Sequence, residues 1–449
     1  MIDKNTAVEV FKYFLDQVNE AGLPLVLLRP REISEATSYT GDYDFFIPQK
    51  STDTLLTIMH KVAIETCSSF SVSRRQYGKI DITLYSRLDN QSIALEIWNL
   101  LTVKDPLHKT VRYISSDVLE PLLIRNETSV FSFPIDIEAL YYLSHLYSVK
   151  KKLSTPLVEE RLQYYLSELQ ASGSIYFDIV EALVNGEIDI KTAAHKANME
   201  LVEKKVLQSK SDFKARVSDT LLKFASTRNR IKRKLFSYNH LIPIIGPDGV
   251  GKTSLIKSIQ EKSDVKVSFF KFKKTFRVSP LYKLTFMLLS KVLQKEVGST
   301  QKPGKTQVDD RFGNNVILNA ILLFPLRWIR YIYSKRIVFV DRYFNEYLLI
   351  NSRWQTEKMG LRRDWKLLLK FIPRTYSIIH LDAPTEVILS RKAELNERGV
   401  EAYRELLFKT FLEKPFIVYS YINTDLPLEQ CSDLALHICK NKSRESKLK

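Results

Sequence analysis

The sequence predicts an α/β protein whose C-terminal half is built on a mainly parallel sheet. Three observations lead there. Apolar strand-like runs alternate with helical patterns over residues 238–440, the sign of a sheet built by crossovers. The loop Gly246-Pro247-Asp248-Gly249-Val250-Gly251-Lys252-Thr253-Ser254 lies between an apolar run, 241–245, and a helical pattern through Leu255 and Ile259. A second apolar run, 337–340, ends in Asp341.

A chain of 449 residues exceeds one ordinary domain. Three regions are read: an α+β domain over 1–132, a helical connector over 133–236, and the loop-bearing α/β domain over 237–449. In the first, the pattern predicts a helix over 6–21, strands over 23–28 and 42–47, and a helix over 52–66. Strands over 79–85 and 93–100 follow, joined by a hairpin-like connection. In the second, Ile135, Ala139, Leu140, Leu143, Leu146 and Tyr147 recur at helical spacing. No internal repeat is visible, and the polar end from Lys440 is expected to fray.

A 45% hydrophobic and 27% charged composition is that of a soluble globular protein. The net charge of +17 favours anionic partners: nucleotides, acidic or phosphorylated glycans, nucleic acid or an anionic membrane surface. The excess is concentrated. Residues 201–240 hold eleven basic against three acidic residues, and 265–295 hold eight basic residues and no acid. A solvated helix face explains either run equally well. No nucleic-acid-binding motif accompanies them, which argues against that partner.

Cys67, Cys431 and Cys439 form no metal or redox spacing and read as reduced thiols. The N-terminus lacks a signal-peptide layout. The longest apolar stretch, 316–333, is broken by Asn319, Pro325, Arg327 and Arg330, too short and too charged to span a bilayer. A cytoplasmic location follows, with peripheral attachment to the inner membrane as the alternative.

The loop's residue types fit phosphate. Backbone N–H groups must turn inward around the anion, which needs glycine where φ is positive or a side chain would collide. Gly246, Gly249 and Gly251 supply this in a chain with only 13 glycines. The following helix directs its positive end at the anion. Lys252 is placed for the β- and γ-phosphates of ATP, and the Thr253 hydroxyl for Mg²⁺. Asp341, at the carboxyl end of a neighbouring strand, is the matching acid for the metal.

These segments resemble the thymidylate kinase family of P-loop enzymes. The loop with Asp248 in third place, Asp341-Arg342-Tyr343, and the stretch 373–391 with His380-Leu381-Asp382-Ala383-Pro384 carry the resemblance over about 200 residues. It implies that Asp248 touches a substrate hydroxyl and that Arg342 bridges donor and acceptor phosphates. It implies further that Arg391 and Arg398 lie in a lid over the γ-phosphate, and that Asn423-Thr424-Asp425 meets adenine through its backbone. Two family features are missing. The basic run Lys271-Phe272-Lys273-Lys274-Thr275-Phe276-Arg277 replaces the acidic–proline–glycine motif, and Phe344-Asn345-Glu346-Tyr347 replaces the base-recognising motif. The segment 341–353 looks closer to thymidylate-kinase-like proteins associated with bacterial surface-polysaccharide synthesis.

In the first region, Gly41-Asp42-Tyr43-Asp44 sets two carboxylates two apart on one strand face. This pairing suits Mg²⁺ bound to a nucleotide, with Glu96 or Asp81 as the third carboxylate. It resembles the nucleotidyltransferase superfamily, although Leu28-Arg29-Pro30 stands where that family has a Gly-Ser turn. The alternative is that Asp42 and Asp44 cap a strand or pair with lysines.

The leading expectation is therefore a Mg-ATP-dependent kinase acting on a sugar, glycan terminus or nucleotide-linked precursor. Its N-terminal nucleotidyltransferase-like domain leaves a bifunctional enzyme open. The alternatives are a nucleotide-binding switch with slow hydrolysis, and a nucleoside-monophosphate kinase of salvage.

Overall fold

The computed structural model describes residues 6–28, 43–74, 78–85, 92–104, 106, 111–114, 116–125, 131–149, 153–207, 220, 224–225, 227–228, 231, 241–262, 267–271, 283–284, 287–288, 290–291, 294, 337–341, 375, 377–392, 396–413 and 418–447. Asp42 and Arg342, with 272–277, 316–333 and 343–353, lie outside them.

The chain opens with α1 (Ala7–Glu20). Thr6 caps it by accepting from the Glu9 N–H at 3.2 Å, while its own N–H donates to the Glu9 carboxylate at 3.0 Å, a reciprocal pair worth about 1 kcal/mol. There follow β1 (Val26–Leu27), β2 (Tyr43–Phe46), α2 (Thr52–Glu65), β3 (Ser69–Ser73), β4 (Lys79–Tyr85) and β5 (Ser92–Trp98). The expected elements are therefore found, β4 with the expected bounds and β1, β2 and β5 shorter. β3 was not among them. A hairpin, β6 (Leu101–Lys104) and β7 (Val111–Ile114), leads to α3 (Ser116–Leu119), β8 (Ile124–Arg125) and β9 (Phe131–Ser132).

The helical region contains α4 (Ile135–Val149), α5 (Pro156–Ala171), α6 (Phe177–Val184) and α7 (Ile190–Glu203). Their apolar faces share one core with Val26, Phe46 and the β6–β7 hairpin. The rest comprises β10 (Leu241–Ile245), α8 (Lys252–Lys262), β11 (Val267–Lys271), β12 (Ile337–Asp341), β13 (Ser377–Asp382), α9 (Thr385–Arg391), α10 (Glu397–Glu413), β14 (Val418–Asn423) and α11 (Leu428–Lys447).

Among the described residues twelve strands join in one sheet, in the order β11-β12-β10-β13-β14-β3-β4-β5-β2-β1-β9-β8. The five from β11 to β14 are all parallel. Beyond β14 the pairing is mixed, and β14 meets β3 antiparallel, with Val418 opposite Ser73 and Tyr421 opposite Phe70. The fold is thus mixed α/β with a large, mostly parallel sheet, as the strand–helix alternation predicts. The same sheet runs through the N-terminal and C-terminal regions.

Packing follows from the pleat. Along β10, Leu241 and Ile245 join a core with Tyr403, Leu407 and Phe411 of α10, and that core continues to Phe11 and Phe14 of α1. Ile242 and Ile244 face the opposite way, onto Leu255 and Ile259 of α8 and Ala435 of α11. Parallel strands covered on both faces read as continuous apolar runs, which is why 241–245 is legible. Among the described residues no helix is long and apolar enough to cross a membrane.

Candidate active site

The parallel strands end together, and their carboxyl edge gathers the candidate residues. Asp341 is opposite Ile244 and Lys271, Asp382 is opposite Asn423, and Gly246 follows directly from β10. An open α/β sheet binds its ligands at such an edge.

All three loop glycines have positive φ: +146° at Gly246, +93° at Gly249 and +89° at Gly251. A Cβ at Gly246 would collide with the Leu381 carbonyl oxygen of β13, a backbone atom that cannot swing away. At Gly249 a Cβ would come within 3.0 Å of the Lys392 Cβ and 3.1 Å of the Ile388 oxygen. At Gly251 there is open space, so only the dihedral demands glycine there.

Lys252 opens α8 and is buried. Its Nζ donates to the carbonyl oxygens of Gly246 at 2.5 Å and Pro247 at 2.8 Å, with Asp248 Oδ1 at 3.5 Å. The ammonium therefore occupies the concave side of its own loop, where an anion's oxygens would replace the carbonyls. Asp248 faces Lys252 in this state. The Tyr403 hydroxyl also donates to the Gly246 oxygen, at 3.4 Å. Thr253 and Ser254 are exposed in the first turn, and Asp341 is half-buried on the adjacent strand. A hydroxyl and a carboxylate are oxygen ligands of the kind Mg²⁺ takes.

The two arginines assigned to a lid part company. Arg391 donates from Nη1 to Thr424 Oγ1 at 3.4 Å and from Nη2 to the Thr424 carbonyl at 3.0 Å, which ties it to the turn after β14. Arg398 is exposed in the first turn of α10.

The sequence reading missed the pair that braces this edge. Asp382, fully buried, receives Arg404 Nε of α10 in an ion pair. Arg404 Nη2 also donates to Asp382 Oδ1 at 3.2 Å and to the Ala383 carbonyl at 2.8 Å. The Ala383 N–H and the Tyr421 hydroxyl complete the carboxylate's partners at 2.9 and 3.1 Å. Burial works against the Arg404 charge, but Asp382, with Tyr421 and Glu401, outweighs it and raises the guanidinium pKa. The signal was partial, since Asp382 stood in a quoted motif while Arg404 lies a helix away.

Beside this pair, two imidazoles meet across the sheet junction. His60 of α2 stacks on Phe408 at 4.1 Å and on His380 of β13 at 6.3 Å. The His380 Nδ1 shares a 2.7 Å hydrogen bond with the Tyr419 hydroxyl. Neither Nε2 has a hydrogen-bond partner. Burial drives both pKa values down to about 3; His380 and Arg404 add to this at His60, and Arg404 and Lys252 at His380. The Asn423 N–H donates to Ser69 Oγ at 3.0 Å, so β3 holds the strand leading into the Thr424 turn.

In the N-terminal region, Asp44, Glu96 and Asp81 stand in register on three adjacent strands. Both candidates for the third carboxylate thus share one row with Asp44. Lys79 stands one row over, opposite Trp98, and its ammonium reaches to 2.5 Å from Glu96 and 3.1 Å from Asp81, 5.0 Å over the Trp98 ring. Trp98 Nε1 donates to Asp44 Oδ1 at 3.3 Å. Burial first, and then Asp44, raise the Glu96 pKa against the opposing pull of Lys79. Among the described residues no group of three or more His, Cys, Asp or Glu is arranged to hold a metal ion.

No family model matches this chain, and no curated protein matches it. Among solved structures it is similar to a thymidylate kinase from Ehrlichia chaffeensis, at 15% identity and a TM-score of 0.28, over 44% of this chain and 97% of that one.

Proposed function

We propose that residues 237–449 form a Mg-ATP-dependent phosphotransferase, and that the N-terminal region braces it rather than carrying a second active centre. The observation that supports the first part best is the loop itself. Three positive-φ glycines and a buried lysine stand at the start of a helix, one strand from a half-buried aspartate at the same sheet edge. Backbone donors, a cation and a carboxylate are the parts that phosphoryl transfer needs, because such sites act by positioning and by neutralising charge.

ATP would enter with its β- and γ-phosphates on the loop N–H groups, displacing the Lys252 ammonium from the Gly246 and Pro247 carbonyls onto phosphate oxygens. The Thr253 hydroxyl and the Asp341 carboxylate fit Mg²⁺, which supplies charge neutralisation between the phosphates when bound. The adenine is assigned to the turn after β14, which Arg391 holds by Thr424. The acceptor is a sugar, glycan terminus or nucleotide-linked precursor of bacterial surface-polysaccharide synthesis; the basic 271–277 run in place of an acidic motif supports an anionic one.

For the N-terminal region, Lys79 already compensates Glu96 and Asp81. That pairing favours a retired site over an active nucleotidyltransferase. The test uses γ-labelled ATP with panels of sugars, nucleotides and bacterial glycan extracts. Transfer to one class is expected, with Lys252→Ala reducing it about a thousandfold or more. Transfer unaffected by Lys252→Ala refutes the assignment, and hydrolysis that no acceptor stimulates favours a nucleotide-binding switch.

A further inference from the structure

We propose that Lys392, and not its neighbour Arg391, is the catalytic cation that meets the transferred phosphoryl group from above the loop; this rests on the phosphotransferase reading. The argument begins where α9 ends. Its last turn abuts the phosphate loop, with the Ile388 carbonyl and the Lys392 Cβ and N at 3.1, 3.0 and 3.6 Å from the point where a Gly249 Cβ would sit. Gly249 is thus glycine partly because Lys392 is there.

Arg391 is the last residue of the helix and Lys392 the first beyond it. Arg391 is turned to Thr424 and held by two hydrogen bonds. Lys392 leaves the helix in extended conformation, φ −162° and ψ 110°. Its N–H is fixed to the Ile388 oxygen at 3.0 Å, which anchors the backbone against the loop while the side chain is exposed. An ammonium on a flexible four-carbon stem, rooted on the loop's central glycine, is within reach of whatever the loop binds.

The two lysines then divide the work. Lys252, buried on the carbonyls of its own loop, would hold the phosphates in the ground state. Lys392 approaches from the solvent side. In the transfer, the bond between the γ-phosphorus and the bridging oxygen breaks and the bond to the acceptor oxygen forms. A hydroxyl acceptor releases its proton to solvent, and ADP leaves. Lys392 remains protonated and makes no covalent bond; it neutralises charge on the migrating group's oxygens.

The experiment measures Mg-ATP and Mg-ADP binding by calorimetry, and kcat, for wild type, Lys392→Ala, Lys392→Arg and Arg391→Ala, with Tm as the folding check. Lys392→Ala should leave ADP affinity unchanged, erase about tenfold of the preference for ATP and lower kcat about a hundredfold, with Lys392→Arg recovering part of both. Arg391→Ala should weaken ATP and ADP alike, about tenfold, because it frees the Thr424 turn at the base end. If Lys392→Ala keeps the ATP-to-ADP ratio and kcat, or if Arg391→Ala is the variant that loses the ratio, the proposal is overturned while the phosphotransferase reading stands. A wild type that binds neither nucleotide overturns both.

Discussion

The parallel strands and the β4–β5 pair of the same sheet bury their residues differently. Every residue of β10, β13 and β14 is buried, whereas β4 and β5 alternate between buried and half-exposed. The difference decides how each region handles charge. Under two covered faces, Asp382 has four protein donors and Arg404 keeps its guanidinium inside the core. On the open face, Asp81 and Glu96 keep 36% and 26% of their side-chain surface exposed and share one lysine. A carboxylate there needs no dedicated partner, because solvent screens it.

Arg404→Ala should give the largest effect. It leaves the Asp382 carboxylate buried without its ion-pair partner, and about 3–5 kcal/mol of stability should be lost, read as a fall in the denaturant midpoint. A midpoint unchanged within error would mean that the covered edge is wetter than its burial implies.

Next comes pH. His60 and His380 protonate near 6.5 when unfolded and near 3 when folded, so the unfolded chain takes up more protons as pH falls. Stability should be full above about pH 6.5 and should decline toward pH 3, by up to about 1.4 kcal/mol per pH unit for each imidazole. The charged groups nearby are Asp382, Arg404 and Lys252; only Asp382 opposes the trend. His60→Phe, which preserves the stack on Phe408, should remove about half of the slope between pH 6 and 4.5. Identical slopes in the two proteins would exclude His60 as a contributor.

The smallest change is expected on the open face. Lys79→Met deletes the ion pairs with Glu96 and Asp81, and their partial exposure limits the loss to about 1 kcal/mol. The same variant should raise the Glu96 pKa further, since Lys79 now holds it down; carboxylate-resolved NMR titration measures the shift. A loss matching that of Arg404→Ala would abolish the distinction between the two regions.

Legibility in the sequence followed the same division. The strand 241–245, its glycine loop and the Asp341 position were readable because the residue types are dictated locally, by dihedral, dipole and continuous apolar burial. The period-two row of β4 was readable for a similar reason. Ser69–Ser73 also alternates, with Phe70 and Val72 buried, but it is short and serine-rich, and its value lies in pairing with β14 some 350 residues later. The Asp382–Arg404 pair, the His60–His380 stack, the Arg391–Thr424 hydrogen bonds and the approach of the Lys392 backbone to Gly249 all depend on contacts between separate elements. No local pattern encodes them. The competition between Asp81 and Glu96 was likewise a question of register, and the register sets both in one row with Asp44.

The central claim is that the nucleotide belongs to the glycine loop and not to the carboxylate row. Calorimetric titration of the full chain with Mg-ATP measures this directly, for wild type, Lys252→Ala and the double variant Asp44→Asn/Glu96→Gln. One nucleotide per chain is expected, lost in Lys252→Ala and retained at unchanged affinity in the double variant. Binding that survives Lys252→Ala and disappears with the two carboxylates would contradict the account.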